Sequence, residues 1–168
     1  KKLSHVFLDD KTFKMRSQGC GILTYEDALR LCAVGPTTRA SGVKKDVRVD
    51  QPYAAYSDLD IDYMTPDKLT GEINGDVYDR IIVRLLEVKQ SIELIERAVD
   101  QIPTGDIVSE PKIPKLLNYI KKTAGEGIGR DEAPRGEVMH YIKFDGQNEQ
   151  PFTWKVRAST YANILPWI

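Results

Sequence analysis

A repeating apolar pattern between about residues 76 and 100 constrains the fold of this chain most strongly. Apolar residues recur there at intervals of three and four, the period of one helix face. They are Val77, Ile81, Leu85, Val88, Ile92, Ile95 and Val99. Asn74-Gly75-Asp76 precedes the pattern as a start signal, and Pro103 follows it as a stop. The sequence predicts one long helix that forms the spine of a helical layer. The residues expected to be buried are Ile81, Leu85, Val88, Ile92 and Ile95.

Shorter elements flank this helix. The opening LSHVFLDDKTFK fits either a short helix or an edge strand. Thr24, followed three residues later by Asp27, has the spacing of a helix N-terminus, and this helix should stop near Gly35-Pro36. A second helix is predicted over IPKLLNYIKKTAG, with Pro114 in its first turn and Gly125 as its terminator.

The segment from about residue 35 to residue 63 gives irregular signals, since glycine, proline and tyrosine alternate with charges. We interpret it as a long connection laid across other protein surface. Arg39 and Arg48 are interpreted as loop anchors, either against neighbouring segments or against a partner subunit, with a direct role in chemistry as the alternative. The tyrosines expected to pack across the connection are Tyr53, Tyr56 and Tyr63. The glutamates expected largely on the solvated helix face are Glu87, Glu93 and Glu96, with a role in a proton path as the alternative.

The last third of the chain changes its period. GEVMHYIKFDG and PFTWKVRAS alternate in polarity and are separated by DGQNEQ, which contains the turn dipeptide Asp145-Gly146. This predicts a β-hairpin over about residues 137–158. The fold class is therefore α+β, with helices first and a hairpin after. The apolar ending NILPWI suggests that the chain is a piece of something larger.

Composition excludes several classes of function. The chain has 168 residues, of which 41% are hydrophobic and 29% charged, so it can bury a core. A net charge of −1 and a pI near 6.2 give no reason to expect nucleic acid as a partner. No apolar run of about 18 residues exists, so no direct membrane insertion is expected. Cys20 and Cys32 form no CxxC pair, so we expect no metal site from them and interpret them as small, buried hydrophobic residues. Two cysteines are too few for a disulfide framework, which favours a cytoplasmic setting.

The stretch EAPRG places an arginine in a stiff position. Pro134 fixes the backbone, and Gly136 allows another group to approach closely, so the guanidinium of Arg135 is held in one direction. Two interpretations stay open. Arg135 grips an anionic or strongly polarised ligand, or it pairs with Glu132 or Glu137 and braces a loop.

Several motifs in a fixed order carry a family resemblance. EAPRGE, then HYI, then WKVRASTYAN resemble the large, catalytic subunit of nickel-iron hydrogenases, in particular the membrane-bound, energy-converting group. GPTTRASG, DVRVDQPYAAY and GDVYDRIIVRLLEVKQSIELIE extend the resemblance over nearly the whole chain. These enzymes are homologous to the quinone-site subunit in the peripheral arm of respiratory complex I.

The resemblance implies a metal centre that this chain alone does not hold. In the family, cysteine thiolates from two CxxC pairs bind nickel, and some bridge to an iron with cyanide and carbon monoxide ligands. Neither pair is present here. Residues 1–168 are therefore expected to be one partial domain, the middle of a larger subunit, with no metal ligands, no cofactor and no activity on its own.

The resemblance also implies site residues around the metals. Arg135 matches the family arginine that hangs over the metal pair, and Pro134 shapes the wall beside it. Ser159 and Thr160 fall where the family hydrogen-bonds a cyanide, although relatives often have proline at the position of Ser159. His140 matches a histidine that marks the hydrogenases, and we assign it no catalytic role.

The implied function is hydrogen evolution or oxidation coupled to ferredoxin and ion translocation. The implied partners are an iron-sulfur small subunit and membrane subunits, with ferredoxin as an indirect electron partner, and the protein would lie at the cytoplasmic face of the membrane. One alternative is the homologous complex I-like subunit of an NADH and quinone oxidoreductase, which lacks nickel. Another is a non-catalytic interaction domain. Two CxxC pairs in the flanking gene sequence would favour the hydrogenase.

Overall fold

The computed structural model describes residues 2–108 and 110–167. The described chain contains helices, a three-stranded antiparallel sheet and a closing 3-10 turn at Leu165–Trp167. The helices are α1 (Lys2–Asp9), α2 (Lys11–Ser17), α3 (Tyr25–Arg30), α4 (Pro36–Ala40), α5 (Val47–Asp50), α6 (Asp67–Thr70), α7 (Val77–Gln101), α8 (Ile113–Lys121) and α9 (Ser159–Ala162). The strands are β1 (Ala124–Ala133), β2 (Gly136–Asp145) and β3 (Thr153–Arg157). The predicted α+β class is confirmed.

The long helix α7 has the predicted bounds but buries a different face. The Asp76 side chain caps it by accepting a hydrogen bond from the Asp79 amide. Its buried residues are Tyr78, Asp79, Ile82, Val83, Gln90 and Leu94. The expected burial is wrong for Val88, Ile92 and Ile95, which are 54%, 53% and 63% exposed. Helix α4 packs against α7 and selects the other face, which periodicity alone does not reveal.

The segment interpreted as an irregular connection forms the centre of the molecule. Every residue from Ala33 to Ser41 is buried, next to an apolar cluster of Leu23, Ala28, Ala33 and Val43. Thr24 caps α3 as predicted, but α3 ends at Arg30 rather than near Gly35-Pro36. Those two residues begin α4 instead, because proline suits the first turn of a helix.

The sheet has the strand order β1-β2-β3. The predicted hairpin is β2 with β3, in which Met139 pairs with Arg157 and Lys143 with Thr153. Strand β1 was not predicted, because AGEGIGRDEA is rich in glycine and lacks the alternation of a half-buried strand. It pairs with β2 from Ala124–Asp145 to Ala133–Gly136.

The remaining elements follow the sequence with two exceptions. The opening segment is helical, as α1 and α2, and a helix forms where α8 was predicted, but it ends at Lys121 and the expected terminator Gly125 lies in β1. Cys20 and Cys32 are exposed, so the expectation that they are buried is wrong. In the described part of the chain, no helix is long and apolar enough to cross a membrane. The apolar ending noted in the sequence includes Ile168, which lies outside the described residues.

Candidate functional site

The turn between β1 and β2 presents the arginine that the sequence singled out. Because Ala133 pairs with Gly136, Pro134 and Arg135 are the two central residues of a tight hairpin turn. Proline restricts φ to a narrow range and carries no N–H donor, so the first half of the turn has little freedom. The side chains of both residues lie at the end of the hairpin and are accessible to solvent.

Two glycines bring the backbone of the turn against the start of α4. The φ angles of Gly35 and Gly136 are +69° and +119°. A Cβ atom on Gly35 would lie 2.4 Å from the Gly136 Cα, and one on Gly136 would lie 2.6 Å from the Gly35 N. Only glycine fits at either position. The close approach expected at Gly136 is confirmed, and the approaching group is backbone.

Asn163 fastens the same turn from a third direction. This residue follows α9 and is 1% exposed. Its Oδ1 accepts a hydrogen bond from the Val34 amide at 3.0 Å. Its Nδ2 donates to the carbonyl oxygens of Val34 at 3.1 Å and Arg135 at 3.2 Å. One amide side chain therefore ties the start of α4, the hairpin turn and α9 together.

Arg39 on α4 is the centre of a buried charge cluster. Its side chain is 1% exposed and forms ion pairs with Asp46 at 3.3 Å, Glu87 at 2.7 Å and Glu132 at 2.9 Å. Its Nη1 also donates to the carbonyl oxygen of Lys45. Burial acts to lower the pKa of Arg39, but the surrounding carboxylates outweigh it and raise that pKa. The predicted anchor role is confirmed, and these partners all lie in this chain.

For the two glutamates of the cluster, burial outweighs the attraction of the neighbouring arginines. Burial raises the pKa of Glu87 and of Glu132 above the ordinary glutamate value, although Arg39 opposes both shifts. Arg48 donates to both oxygens of Asp46 at 3.0 and 2.7 Å, which confirms its anchor role. The placement of Glu87 on a solvated face was wrong, because Arg39 draws it inward.

Glu132 connects this cluster to the hairpin. Its carboxylate accepts from Arg39 and from the Val47 amide at 3.3 Å. Its own backbone N–H donates to the Tyr53 hydroxyl at 3.2 Å. Since Glu132 lies three residues before Arg135, the cluster fixes the strand that leads into the turn.

The bracing role considered for Arg135 is therefore taken by other residues. Glu132 pairs with Arg39. Glu137 lies 3.5 to 3.8 Å from charged nitrogens of Lys45, Arg130 and Arg157. Among the described residues, no carboxylate forms an ion pair with Arg135. Its backbone is fixed, and its exposed guanidinium remains available to a ligand.

The turn and the charge cluster line one cavity of about 730 Å³. The lining residues are Arg39, Arg48, Arg84, Glu87, Val88, Ser91, Glu132, Ala133, Pro134 and Arg135. Burial lowers the pKa of Arg84; Glu87 opposes this shift, and the like charges of Arg135 and Arg39 add to it. The cavity therefore carries guanidinium groups and glutamates on the same wall.

The other residues singled out in the sequence lie apart from this lining. Ser159 is buried in the first turn of α9, and Thr160 beside it is exposed. The described cavity lining includes neither, although Asn163 holds their helix to the carbonyl of Arg135. The Nδ1 of His140 accepts a hydrogen bond from Trp154 at 3.1 Å, which suits an orienting imidazole. Sequence reasoning missed Asn163, whose one signal was the final letter of WKVRASTYAN.

The residues of this chain do not fit a nickel-iron centre by themselves. Such a centre needs several thiolate ligands close together. Cys20 and Cys32 are exposed and unpaired, and neither lines the cavity. The described residues contain no group of three or more histidine, cysteine, aspartate or glutamate side chains that could hold a metal ion.

Comparison with known proteins identifies relatives along the whole chain. The family described as respiratory-chain NADH dehydrogenase, 49 Kd subunit, matches residues 1–167. The membrane-bound hydrogenase alpha subunit of Pyrococcus furiosus is 42% identical over 166 residues, 98% of this chain and 39% of that protein. An NADH-quinone oxidoreductase subunit of Dehalococcoides mccartyi is 39% identical over 150 residues, 89% of this chain and 38% of that protein.

A third relative, the corresponding NADH-quinone oxidoreductase subunit of Chlorobium chlorochromatii, is 37% identical over 165 residues, 98% of this chain and 40% of that protein. The chain thus spans about two fifths of the length of these curated relatives. All three are named as subunits of oxidoreductases. The match over residues 1–167 shows that the chain belongs to the family of the 49 kDa subunit of the respiratory-chain NADH dehydrogenase.

Proposed function

We propose that this chain is the middle part of the catalytic subunit of a membrane-associated nickel-iron hydrogenase. The complete enzyme would evolve or oxidise hydrogen, exchange electrons with ferredoxin through an iron-sulfur small subunit, and drive ion translocation by membrane subunits. It would lie at the cytoplasmic face of the membrane through these partners. The 42% identity to the alpha subunit of a membrane-bound hydrogenase supports this proposal.

The observation that carries the proposal is the state of Arg135. Its backbone is fixed by the contact between Gly35 and Gly136 and by the hydrogen bond from Asn163. Its side chain borders the cavity without a carboxylate partner among the described residues. Fixing the backbone that carries a charged side chain is the arrangement expected of a site that tolerates little misplacement.

In this proposal the nickel-iron centre would be bound by cysteines outside these 168 residues and would supply the hydrogen chemistry. The chain itself contributes Arg135, which offers a permanent positive charge and N–H donors in a planar fork. Pro134 forms the wall beside it. Ser159 and Thr160, which lie on α9 outside the described cavity lining, would supply hydroxyl donors to the ligands of that centre.

The second candidate is a nickel-free protein of the complex I type. The family description and the NADH-quinone oxidoreductase relatives favour it. In that enzyme the chain would be a redox scaffold beside an iron-sulfur partner, and the complex would act on NADH and quinone. Two CxxC pairs in the flanking gene sequence would support the hydrogenase, and their absence would support this alternative.

Replacing Arg135 by lysine in the complete complex tests the proposed role. Lysine keeps the charge but loses the fork, so one hydrogen bond to a charged partner, about 1.5–3 kcal/mol, should be lost. Hydrogen turnover per bound nickel should fall at least about tenfold, since about 1.36 kcal/mol corresponds to a factor of ten. Assembly and nickel content should remain near normal.

Arg130→Lys is the matched control, because Arg130 lies on β1, the strand that leads into the turn, and contacts Gln51 and Glu137 away from the cavity lining. It should leave turnover per nickel unchanged. If Arg135→Lys also turned over normally per bound nickel, Arg135 would have no part in the chemistry. A loss of assembly in Arg135→Lys with normal turnover per nickel would indicate a purely structural role.

A further inference from the structure

The two faces of the sheet differ in their chemistry. Successive side chains of a strand point to opposite faces, so the pairing register assigns each residue to one face. One face carries Trp154 and Val156, which are 61% and 51% exposed. The opposite face carries a cation on β1, another on β2 and two on β3. We call it the basic face, and its cations are Arg130, Lys143, Lys155 and Arg157.

Glu137 is the buried carboxylate of the basic face. It lies 3.8 Å from the Arg130 Nε, 3.8 Å from the Arg157 Nη1 and 3.5 Å from the Nζ of Lys45, which borders the face. The side chain of Glu137 is 8% exposed, whereas the three cations are 42% to 47% exposed. One carboxylate thus meets three half-exposed cations at distances beyond a good hydrogen bond, so much of their charge remains uncompensated.

The other two cations of the basic face have no anionic partner in the described part of the chain. Lys143 and Lys155 are both exposed. Glu126 lies opposite Lys143 but accepts a hydrogen bond from the Tyr141 hydroxyl at 2.7 Å. Lys155 pairs with Tyr141, two residues before Lys143, so the two lysines are diagonal neighbours about 7–8 Å apart. Like charges this close repel each other, and an anionic group placed over them would relieve the repulsion.

The basic face carries an excess of positive charge. With Lys45 it has five cations, and the described chain places three carboxylates among them. These are Glu126, Glu137 and Asp145. Glu132, at the turn end of the same face, is buried and paired with Arg39. Two positive charges are therefore in excess on one surface of a chain whose net charge is −1, and such a surface attracts an acidic partner.

The centre of the basic face is apolar. Ile128 pairs with Tyr141 there and is 64% exposed, and Met139 lies on the same face two residues before Tyr141. A cavity of about 400 Å³ opens beside them, and it is lined by Val47, Gln51, Ile128 and Arg130. An apolar centre within a charged rim is the usual anatomy of a protein–protein interface, where tyrosine, methionine and arginine are enriched. Phosphate groups of a nucleic acid or a lipid surface would leave the isoleucine uncovered.

We propose that the basic face binds an acidic surface of another subunit of the complete complex. Carboxylates of that subunit pair with Lys143 and Lys155, and its apolar side chains cover Ile128. A second copy of this chain is a poorer partner, because a symmetric pair places the same cations opposite each other. The proposal rests on the part of the proposed function that puts the chain in a multi-subunit complex, and it holds with or without nickel.

Zero-length crosslinking of the complete complex identifies the partner. A carbodiimide joins an amine to a carboxylate in direct contact, and mass spectrometry of the peptides locates the link. We expect Lys143 and Lys155 to be joined to aspartate or glutamate of another subunit. Lys89 is the control for the reaction, because it is 76% exposed and lies 3.8 Å from Glu93 on the same helix. Links from Lys143 and Lys155 only within their own subunit, or no links at all, would overturn the proposal.

Charge reversal tests the contribution of the two lysines to binding. Like charges facing each other across an interface are strongly unfavourable, so Lys143→Glu with Lys155→Glu should weaken association of the crosslinked subunit at least about tenfold. Lys89→Glu should leave the association unchanged. If the reversed variant does not fold, Lys143→Gln with Lys155→Gln takes its place, and the partner should then dissociate at lower salt than in the wild type. An unchanged salt midpoint would contradict the proposal.

These experiments also separate the proposal from the hydrogenase assignment. A nickel-free complex whose lysines are crosslinked as expected would refute the hydrogenase assignment and support the basic face as an interface. Normal hydrogen turnover in a complex that shows no such links would refute the interface alone.

Discussion

Replacing Arg39 by methionine should destabilise the fold more than any other single charge change in the described chain. Methionine is unbranched and apolar, is shorter than arginine, and cannot donate hydrogen bonds. The substitution leaves Asp46, Glu87 and Glu132 together without the cation that all three contact. Because these side chains are at most 16% exposed, water cannot replace the lost partner.

The magnitude follows from the burial. Removing one partner of a buried ion pair costs about 3–5 kcal/mol. A domain of ordinary stability has only about 5–15 kcal/mol to lose. With a urea dependence of about 2 kcal/mol per molar, the unfolding midpoint should fall by roughly 2 M. The loss of stability in Arg39→Met should be smaller in mild acid, since the unpaired carboxylates then bind protons and become neutral.

Urea unfolding followed by circular dichroism measures the change. The matched control is Arg30→Met, because Arg30 forms an exposed pair with Asp27, with side chains 74% and 41% exposed. An exposed pair contributes about 0–1 kcal/mol, so the control should unfold close to the wild type. If Arg39→Met shifted the midpoint no more than Arg30→Met, the cluster would not hold the fold in the way described.

Three further predictions concern other parts of the fold. Gly35→Ala should lower the free energy of unfolding by about 2–5 kcal/mol, because the backbone is strained and the new Cβ would lie 2.4 Å from the Gly136 Cα. Gly71→Ala is the control: its φ is also positive but nothing lies within 4 Å, so it should cost only about 1–2 kcal/mol. Equal unfolding free energies of the two variants would refute the close approach. Ile82→Ala should cost about 2–5 kcal/mol of stability, because Ile82 is 0% exposed, whereas Ile95→Ala should change stability by no more than about 0.5 kcal/mol, because Ile95 is 63% exposed. If thermal unfolding showed a larger loss for Ile95→Ala, the helix face predicted from the sequence would be the buried one. The hydrogen bond to Asp50 raises the pKa of Tyr63 to about 12, so this contribution to stability is present below about pH 10 and is lost as the pH rises through about 12. The titration of Tyr63 is read from phenolate absorbance as the difference between a protein with Tyr63 and the same protein with Tyr63→Phe. In the Asp50→Asn background the midpoint of this titration should lie at a lower pH than in the wild type, and an unchanged midpoint would contradict the assignment.

Local signals in the sequence predicted the elements that depend on neighbouring residues. Helix α7 begins where Asp76 caps it, and α3 begins where Thr24 does, because a cap is a contact over three residues. The β2–β3 hairpin followed from alternation and a turn dipeptide. Strand β1 escaped prediction because its glycines hide any alternation, and its pairing with β2 gives it its form.

The contacts that build the site are too distant in sequence for such signals. Arg39 meets Glu87 and Glu132, which lie 48 and 93 residues further along the chain. Asn163 reaches back 129 residues to Val34. Periodicity placed Glu87 with the solvated glutamates and assigned the wrong face of α7 to the core. The motif EAPRG did point to Arg135, since a stiff turn and a close glycine are local properties.

The nickel content of the complete, purified complex tests the central claim most directly. The isolated 168-residue chain should bind no stoichiometric nickel, because its cysteines are exposed and the described residues contain no cluster of metal-ligating side chains. The complete subunit should carry nickel in stoichiometric amount and evolve hydrogen from reduced ferredoxin. Stoichiometric nickel on the isolated chain would contradict this account of the site. A nickel-free complete complex that reduces quinone would contradict the hydrogenase assignment.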